Sequence, residues 1–544
     1  MCAWEVKAGP EFRRITALPR VRWTEEEIQE MIRDFTALLG KEEGTMALLP
    51  VQAVSLAESL LCDGLLSGVG VGHGKTLASL LIPRVMEAER PLLIVPNNCL
   101  PQTRYDAKHV YGKHFNLPKN LKLISYHMLS QAKNSKMLEE YKPDVIIADE
   151  AHNLKAFSAA RTKKFIRYML ENPEVKFFAM SGTLTKSSLH DYWHLSGLAL
   201  GEGSPIPHSK YELDMWAQAL DAGVPDYSRP SPGALLRLCG PEDCGTELQK
   251  ARSAFQRRLS DTPGVVMTET SSVDIPIKIR AIQVPLHEEM QPYMDQLHNE
   301  WVTPSGEELT ESFQIWDIDR QLAQGFYYKW KYPAPEAWLK ARKKWNSYVQ
   351  RQLNRNIAGL DSPKQVKNVS AHTKELQEWE AIQHTYRIIN EPVYVNDFLI
   401  DAAVGWLKEH GQIAWVVHTA VGQRIAEKAG VPYFGGGDVA SYEILAHRGP
   451  CVASIAAHGT GKNLQRYDRA LVVMPPPGGA VWEQLLGRLH RQGQLSDEVI
   501  FDFFFTTPRA IDYIRQAHDK ATYMEETTKQ VQKIRHAEHI GFSI

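Results

Sequence analysis

The chain has 544 residues, of which 43% are hydrophobic and 23% are charged, and its formal net charge is −2. This composition is typical of a soluble globular protein, and the length predicts two or three domains. The near-neutral charge excludes a polycation, so any nucleic acid would have to bind a local basic surface.

The cysteines and the termini exclude further classes of protein. Six cysteines are too few for a disulfide framework, and they lack the spacing of a zinc site. The N-terminus has no apolar segment typical of a signal peptide, and no run of about 18 apolar residues occurs. We therefore expect a cytoplasmic protein with reduced cysteines, no structural metal and no membrane partner.

Residues 1–45 are predicted to form a helical extension, in which 24–39 is an amphipathic helix capped by Thr24. Beyond it, short apolar runs alternate with helical stretches. Runs of this kind are typical of parallel strands covered on both faces, and their alternation with helices predicts a doubly wound α/β domain over residues 46–270. Three of the runs are LLIVP at 92–96, VIIADE at 145–150 and KFFAMSGT at 176–183.

A second α/β domain is predicted over residues 391–510, where strand-like runs return. Between the two domains, residues 271–390 begin with a strand-like stretch and continue as a long polar, helical insertion. Residues 511–544 are predicted to be helical. The returning runs are IAWVVHT at 413–419, CVASIAA at 451–457, RALVVMP at 469–475 and EVIFDFFF at 498–505.

The stretch GVGHGKT at 70–76 follows an apolar run and precedes a good helix former. Strand, Gly-rich turn and helix form the context of a phosphate-binding loop, in which backbone amides and a helix N-terminus face the phosphate groups. Gly72, His73 and Gly74 would form the turn. Lys75 would reach the β- and γ-phosphates of ATP, and the Thr76 hydroxyl would ligate Mg²⁺. The alternative is a Gly-rich surface turn.

The run VIIADEAHN at 145–153 ends a predicted strand in two carboxylates. Asp149, at the carboxyl end of a strand near the loop, could hold Mg²⁺ through its water shell. Glu150 could orient or deprotonate an attacking water. The alternative is an exposed acidic turn.

These stretches together resemble superfamily 2 helicases and translocases, with DEAH at 149–152 and GHGKT at 72–76. In that family glycines commonly stand three and one before the lysine, as Gly72 and Gly74 do here, whereas Val69 departs from the family pattern. SGTLTKSS at 181–188 resembles motif III, whose hydroxyls, Ser181 and Thr183, we expect to hydrogen-bond His152. LLPVQAV at 48–54 resembles the Q motif, which implies that Gln52 reads adenine; otherwise Gln52 is a helix surface residue.

WEQLLGRLHRQGQ at 482–494 resembles motif VI of the Swi/Snf-like branch. Arg488 and Arg491 are three residues apart, on one face of a predicted helix, and could neutralise charge on the departing γ-phosphate. Gln484 would support them. HGTGKNLQ at 458–465 resembles motif V, in which Thr460 would contact a nucleic-acid phosphate. The resemblance implies two RecA-like lobes that bind ATP and Mg²⁺ in the cleft between them.

Residues 326–357 contain eight Lys or Arg and eight aromatic side chains. Basic residues interleaved with aromatics suit a surface that tracks phosphates and stacks on bases, so Lys329, Lys331 and Lys343 are candidate nucleic-acid contacts. The alternative is that the aromatics pack a helical insertion against the lobes and the basic residues form its solvated face.

The resemblance implies a DNA-stimulated ATPase that translocates on nucleic acid, with double-stranded DNA as the expected partner, in replication, recombination or repair. One alternative is a strand-separating helicase acting on DNA or RNA. Another is a non-catalytic nucleic-acid-binding module with a relic ATP site.

Overall fold

The computed structural model describes residues 5–544 except 132, 133, 135, 158, 307, 308, 310, 311, 356–362 and 371. In that part of the chain the fold is mixed α/β, with two sheets of six and seven strands and a two-stranded ribbon. The predicted α/β class is therefore confirmed.

The first sheet is built from strands between residues 65 and 267. They are β1 (Leu65–Gly68), β2 (Pro91–Val95), β3 (Lys122–Ser125), β4 (Val145–Asp149), β5 (Lys176–Met180) and β6 (Val265–Met267). The order is β3-β2-β4-β5-β1-β6 and every pair is parallel. Since β1, β2 and β4 are buried along their whole length, the prediction of strands covered on both faces is confirmed.

The helices of this first half cover the two faces of the sheet. They are α1 (Pro10–Ala17), α2 (Glu25–Leu39), α3 (Pro50–Cys62), α4 (Lys75–Val85), α5 (Leu100–Tyr105), α6 (Tyr126–Ser130), α7 (Met137–Tyr141), α8 (Ala160–Glu171), α9 (Trp193–Leu200), α10 (Lys210–Leu220) and α11 (Glu247–Ser260). The predicted cap of α2 is present: the Glu27 backbone N–H donates to the Thr24 hydroxyl, and the Glu27 carboxylate accepts from the Thr24 backbone.

The second sheet is also parallel, in the order β11-β12-β10-β13-β14-β7-β15. Its strands are β7 (Ile277–Gln283), β10 (Ile413–Val416), β11 (Tyr433–Phe434), β12 (Cys451–Ser454), β13 (Arg469–Val472), β14 (Val499–Phe505) and β15 (Glu538–Ile540). The ribbon pairs β8 (Phe326–Trp330) with β9 (Asn390–Tyr394) in antiparallel fashion.

The second sheet extends beyond residues 391–510. On one side of β14 it takes β7 from the crossing segment and β15 from the C-terminal region. The prediction of helix alone for residues 511–544 is wrong at β15, because three residues are too few to carry a strand periodicity. The chain thus returns to the sheet after its last long helix.

The remaining helices follow in chain order. They are α12 (Gln291–Asp295), α13 (Ser312–Leu322), α14 (Glu336–Asn354), α15 (Pro363–Val369), α16 (Lys374–Ile382), α17 (Phe398–His410), α18 (Thr419–Ala429), α19 (Asp438–Ala446), α20 (Ile455–His458), α21 (Gly479–Leu489), α22 (Pro508–Thr528) and α23 (Lys533–His536). None of the helices in the described ranges is long and apolar enough to cross a membrane.

The insertion has a small core of its own. Trp345 and Val349 on α14 are buried against Val366 and Leu376 of the next two helices. The ring of Trp338 packs on that of Trp379, with centroids 5.3 Å apart. These aromatic rings pack inside the insertion itself, which agrees with the packing alternative except that the rings contact the insertion's own helices.

Candidate functional site

A Gly-rich loop, residues 69–74, joins the end of β1 to the start of α4 at Lys75. Gly72 and Gly74 have φ angles of 99° and 73°, in the left-handed region that glycine adopts without strain. Lys75 folds back over the loop, and its Nζ donates to the carbonyl of Val69 at 2.9 Å. The predicted succession of strand, turn and helix is therefore present.

The side-chain amide of Gln52, on α3, supports this loop. Gln52 Nε2 donates to the Gly74 carbonyl at 3.0 Å, and Gln52 Oε1 accepts from the Leu49 backbone N–H at 2.8 Å. Because both ends of this amide are engaged, the adenine contact of Gln52 stays a prediction that requires the amide to turn. Val69 is buried in the core beneath the loop, which accommodates its apolar side chain.

Asp149 and Glu150 lie at the carboxyl end of β4, on the sheet edge that also carries the Gly-rich loop. Both are buried, so the alternative of an exposed acidic turn is excluded. The backbone N–H of Glu150 donates to Asp149 Oδ1 at 3.0 Å. Glu150 has a left-handed backbone conformation, with a φ of 55°.

His152 links the acidic pair to the end of β5. Its Nδ1 lies 3.0 Å from Ser181 Oγ and 3.3 Å from Thr183 Oγ1. The same nitrogen lies 3.2 Å from Glu150 Oε2. The predicted contacts of the two hydroxyls with His152 are therefore confirmed.

The arginines approach from the second sheet. Arg488 is buried on α21, where its Nε donates to the Gln484 carbonyl at 2.8 Å and its Nη2 to Gln484 Oε1 at 3.1 Å. Arg491 lies two residues beyond the end of α21, so the two arginines do not share a helical face as predicted. Both donate through Nη1 to the carbonyl of Lys462.

One cavity, of about 100 Å³, collects side chains from both sheets. From the first sheet it is lined by Gly72, Gly74, Lys75, Thr76, Asp149 and Glu150, and from the second by Gly461, Asn463, Arg488 and Arg491. The predicted catalytic residues Lys75, Glu150, Arg488 and Arg491 therefore meet at one place.

The two halves of the chain touch directly around this cavity. A Cβ added to Gly487 on α21 would lie 2.4 Å from a methyl carbon of Val71 in the Gly-rich loop. Lys462 Nζ donates to the carbonyl of Asn98 at 3.1 Å, and Asn98 Nδ2 donates to the carbonyl of Ala457 at 3.0 Å. The cleft is thus closed in this structure.

Burial dominates the electrostatics of the cavity. It raises the pKa of Asp149 to about 7, together with the neighbouring charge of Glu150. Burial would also raise the pKa of Glu150, but Lys75 and the hydrogen bond from His152 outweigh it and lower that pKa. Burial and the charge of Arg491 lower the pKa of Arg488 to about 10. Glu150 is thus the carboxylate held in its charged form.

The cavity also contains residues that the sequence analysis did not assign to it. Cys99, Gln102 and Thr103 line it together with Asp106 and Tyr111. They begin right after β2, whose carboxyl end lies on the same sheet edge as Asp149. That shared edge is the signal that could have found them.

A second cavity, of about 840 Å³, adjoins the other side of the Gly-rich loop. His73, Trp23, Pro50 and Gln492 are among its lining residues. Burial and the charges of Lys533 and Lys75 lower the pKa of His73 to about 4, so His73 is neutral at physiological pH. Gln52 is not among the residues that line this cavity in the described part of the chain.

None of the predicted nucleic-acid contacts lines either cavity, although Thr460 directly precedes Gly461, which lines the smaller one. Lys329 pairs with Glu391 at 3.3 Å, and Lys331 Nζ lies 5.8 Å from the centroid of the Tyr332 ring. Lys343 is exposed on α14, and Thr460 is half-buried. Their roles toward nucleic acid stay predictions.

A scan of protein-family models finds none that matches this chain, and a search of curated proteins finds no significant match.

Proposed function

We propose that this chain is an ATP hydrolase whose two parallel sheets form RecA-like lobes, with ATP bound between them. The observation that carries the proposal is the cavity in which Lys75, Asp149 and Glu150 of one sheet face Arg488 and Arg491 of the other. A cation, an acidic pair and two arginines at the edge of parallel sheets are what phosphoryl transfer requires.

The residues of the site fit a nucleotide. The turn at Gly72 and Gly74 brings backbone amides to the N-terminus of α4, where phosphate binds favourably. Within the described residues, the buried Nε2 of Gln484 has no hydrogen-bond acceptor, and a phosphate oxygen would supply one. The adjoining cavity of about 840 Å³ has the size of a small-molecule site and would take the base and ribose.

The carboxylates fit a magnesium ion. Asp149 and Thr76 would hold Mg²⁺, which supplies charge neutralisation between the β- and γ-phosphate oxygens. Burial and the charge of Glu150 raise the pKa of Asp149, and a bound Mg²⁺ would favour its charged form.

Glu150 is the candidate base. It is charged, buried and anchored by His152 at 3.2 Å, so it can accept a hydrogen bond from the attacking water and hold it in line. Since His152 also contacts Ser181 and Thr183, a change at Glu150 would reach the end of β5. Arg488 and Arg491 would stabilise the charge that develops on the γ-phosphate.

A cavity of about 100 Å³ is smaller than the roughly 300 Å³ at the low end for ligand pockets. The lobes must therefore part to admit ATP and close on it again. Such a cycle can step a motor along nucleic acid, and the motif resemblance favours translocation on double-stranded DNA. A strand-separating helicase on DNA or RNA is the alternative. A non-catalytic module is disfavoured, since all five charged groups meet.

Steady-state ATP hydrolysis tests this function, measured without nucleic acid and with duplex DNA, single-stranded DNA or RNA. We expect stimulation by duplex DNA, lost in Glu150→Gln and retained in Glu174→Gln, an exposed glutamate on the same half of the chain. Displacement of a third strand from a duplex would then report translocation. Stimulation by single strands alone would favour the helicase, and no hydrolysis under any condition would refute the ATPase.

A further inference from the structure

The chain crosses the cleft once more near its C-terminus. After α22 ends at Thr528, residues 529–533, here called the C-terminal strap, run between the two halves before β15 joins the second sheet. Gln530, Gln532 and Lys533 are all buried there. Burying a polar side chain is unfavourable unless it is hydrogen-bonded or ion-paired. Each of these side chains is therefore expected to have a partner.

The distant partners of Gln530 and Lys533 belong to segments that carry the candidate site. Gln530 Nε2 donates to the carbonyl of Gly182, between Ser181 and Thr183. Lys533 Nζ donates to the carbonyl of Val71 in the Gly-rich loop at 3.3 Å. The same nitrogen lies 3.3 Å from Glu483 Oε1 on α21, and the Lys533 backbone N–H donates to Glu483 Oε2 at 2.6 Å.

Lys533 and Glu483 form a buried ion pair between two segments of the site. Both side chains are buried, so removing either one leaves an uncompensated charge in the interior. Val71 directly precedes the turn at Gly72, and Glu483 directly precedes Gln484. These contacts of Lys533 therefore link the turn that would hold phosphate to α21, the helix that precedes Arg491. The charge of Lys533 is also one of the causes, after burial, of the lowered pKa of His73 in the same loop.

We infer that Lys533 is a positioning residue that fixes the Gly-rich loop against α21, so that the arginines reach the site only when the C-terminal strap is seated. This inference rests on the proposed ATPase function for its kinetic consequence. Its structural consequence, a loop ordered by Lys533, does not depend on that function.

The test compares Lys533→Met with Lys278→Met in the full chain. Lys278, on β7 of the second sheet, also pairs with a glutamate, Glu498, at 2.6 Å, but this pair is half-exposed and lines neither cavity of the site, so it is a matched control. We expect Lys533→Met to speed amide hydrogen exchange in residues 69–76 and to lower kcat on the order of 10- to 100-fold, the cost of misplacing catalytic groups by about 1 Å. Binding of a fluorescent ATP analogue should weaken much less, and Lys278→Met should change none of these.

A double variant, Lys533→Met with Glu483→Gln, separates positioning from simple stability. It removes both buried charges, so the melting temperature should recover relative to Lys533→Met, while kcat and loop protection stay low. Recovery of kcat together with the melting temperature would overturn the inference, as would unchanged loop exchange in Lys533→Met. If the unmodified chain does not hydrolyse ATP, the proposed ATPase function is refuted. The exchange measurement would still test whether Lys533 orders the Gly-rich loop.

Discussion

Glu150 occupies a left-handed backbone conformation, with φ 55° and ψ 50°, that costs a non-glycine residue about 1–2 kcal/mol. In this conformation its carboxylate oxygen Oε2 lies 3.2 Å from His152 Nδ1. Strain of this kind persists where the surroundings hold the residue in place, and here His152 and the Asp149 carboxylate do so.

Lys75 is the residue whose removal should most directly weaken nucleotide binding. Its Nζ lies at the Val69 carbonyl and lines the same cavity as the acidic pair. We expect Lys75→Met to weaken binding of a fluorescent ATP analogue at least about tenfold, since a charge-assisted contact contributes about 1.5–3 kcal/mol. Lys176→Met, which changes an exposed lysine paired with Asp63, should bind as the unmodified chain does. Equal binding by both variants would contradict the assignment of Lys75.

Asp221 should make stability depend on pH. Burial raises its pKa to about 6, while its pKa in the unfolded chain is about 3.9. The folded protein therefore binds this proton more tightly, and the stability it contributes is present below about pH 4 and lost as pH rises through 6. The loss amounts to about 3 kcal/mol.

Asp221→Asn tests this sign. Asp221 Oδ1 accepts hydrogen bonds from Leu189 N–H and Tyr523 OH, and an asparagine oxygen can accept both. The melting temperature of Asp221→Asn, relative to the unmodified chain, should rise between pH 4 and pH 7. Asp226→Asn, at a nearly fully exposed side chain, should show no such trend. A relative melting temperature independent of pH would contradict the raised pKa.

At the scale of elements, α21 packs directly on the Gly-rich loop across the cleft. Gly487 lies where any side chain would meet Val71, so the glycine permits close approach of the two halves. The helix could tolerate a larger residue by itself, because alanine is the better helix former. The constraint therefore comes from the other half of the chain.

Gly487→Ala should prop the cleft open. We expect kcat for ATP hydrolysis to fall on the order of 100-fold, with the first sheet and its nucleotide affinity little changed. Gly405→Ala, in α17 where nothing lies within 4 Å, should keep full activity and gain a few tenths of a kcal/mol in stability. Full activity of Gly487→Ala would show that close packing on Val71 is unnecessary.

On α14 of the insertion, buried and exposed residues lead to different predictions. Trp345 on α14 is buried, so Trp345→Ala should destabilise the protein by about 3–5 kcal/mol. Lys343 is exposed on the same helix, so Lys343→Ala should leave the melting temperature unchanged.

The same variant tests DNA binding. If Lys343 contacts a DNA phosphate, its removal should reduce by about one the magnitude of the slope of log binding constant against log salt concentration. An unchanged slope would exclude that contact.

At the scale of the whole molecule, the sequence was informative where a motif coincides with a strand end. The loop at 70–76, the carboxylates at 149–150 and the hydroxyls at 181 and 183 all follow buried strands of one parallel sheet, so their meeting at one edge is a consequence of topology. The contacts of Ser181 and Thr183 with His152 could be predicted for this reason.

Other features depend on long-range contacts that leave no local pattern. The strap at 529–533 is polar and aperiodic, and only its burial between the two halves reveals a role. β15 has too few residues to show a strand pattern in the sequence. The end of α21 two residues before Arg491 is within the uncertainty of a few residues that helix boundaries have in sequence analysis. The aromatic residues of α14 could suit a base or a core, and only their neighbours decide between the two.

The central claim is that groups from both sheets act on one ATP molecule. The most direct measurement is the rate of ATP hydrolysis by Arg491→Ala in the presence of saturating duplex DNA, beside the unmodified chain and Arg448→Ala, an exposed arginine of the same half. We predict a fall in kcat on the order of 1,000-fold in Arg491→Ala, with ATP still bound and Arg448→Ala fully active. An Arg491→Ala protein that hydrolyses ATP at the unmodified rate would contradict a site shared between the two halves.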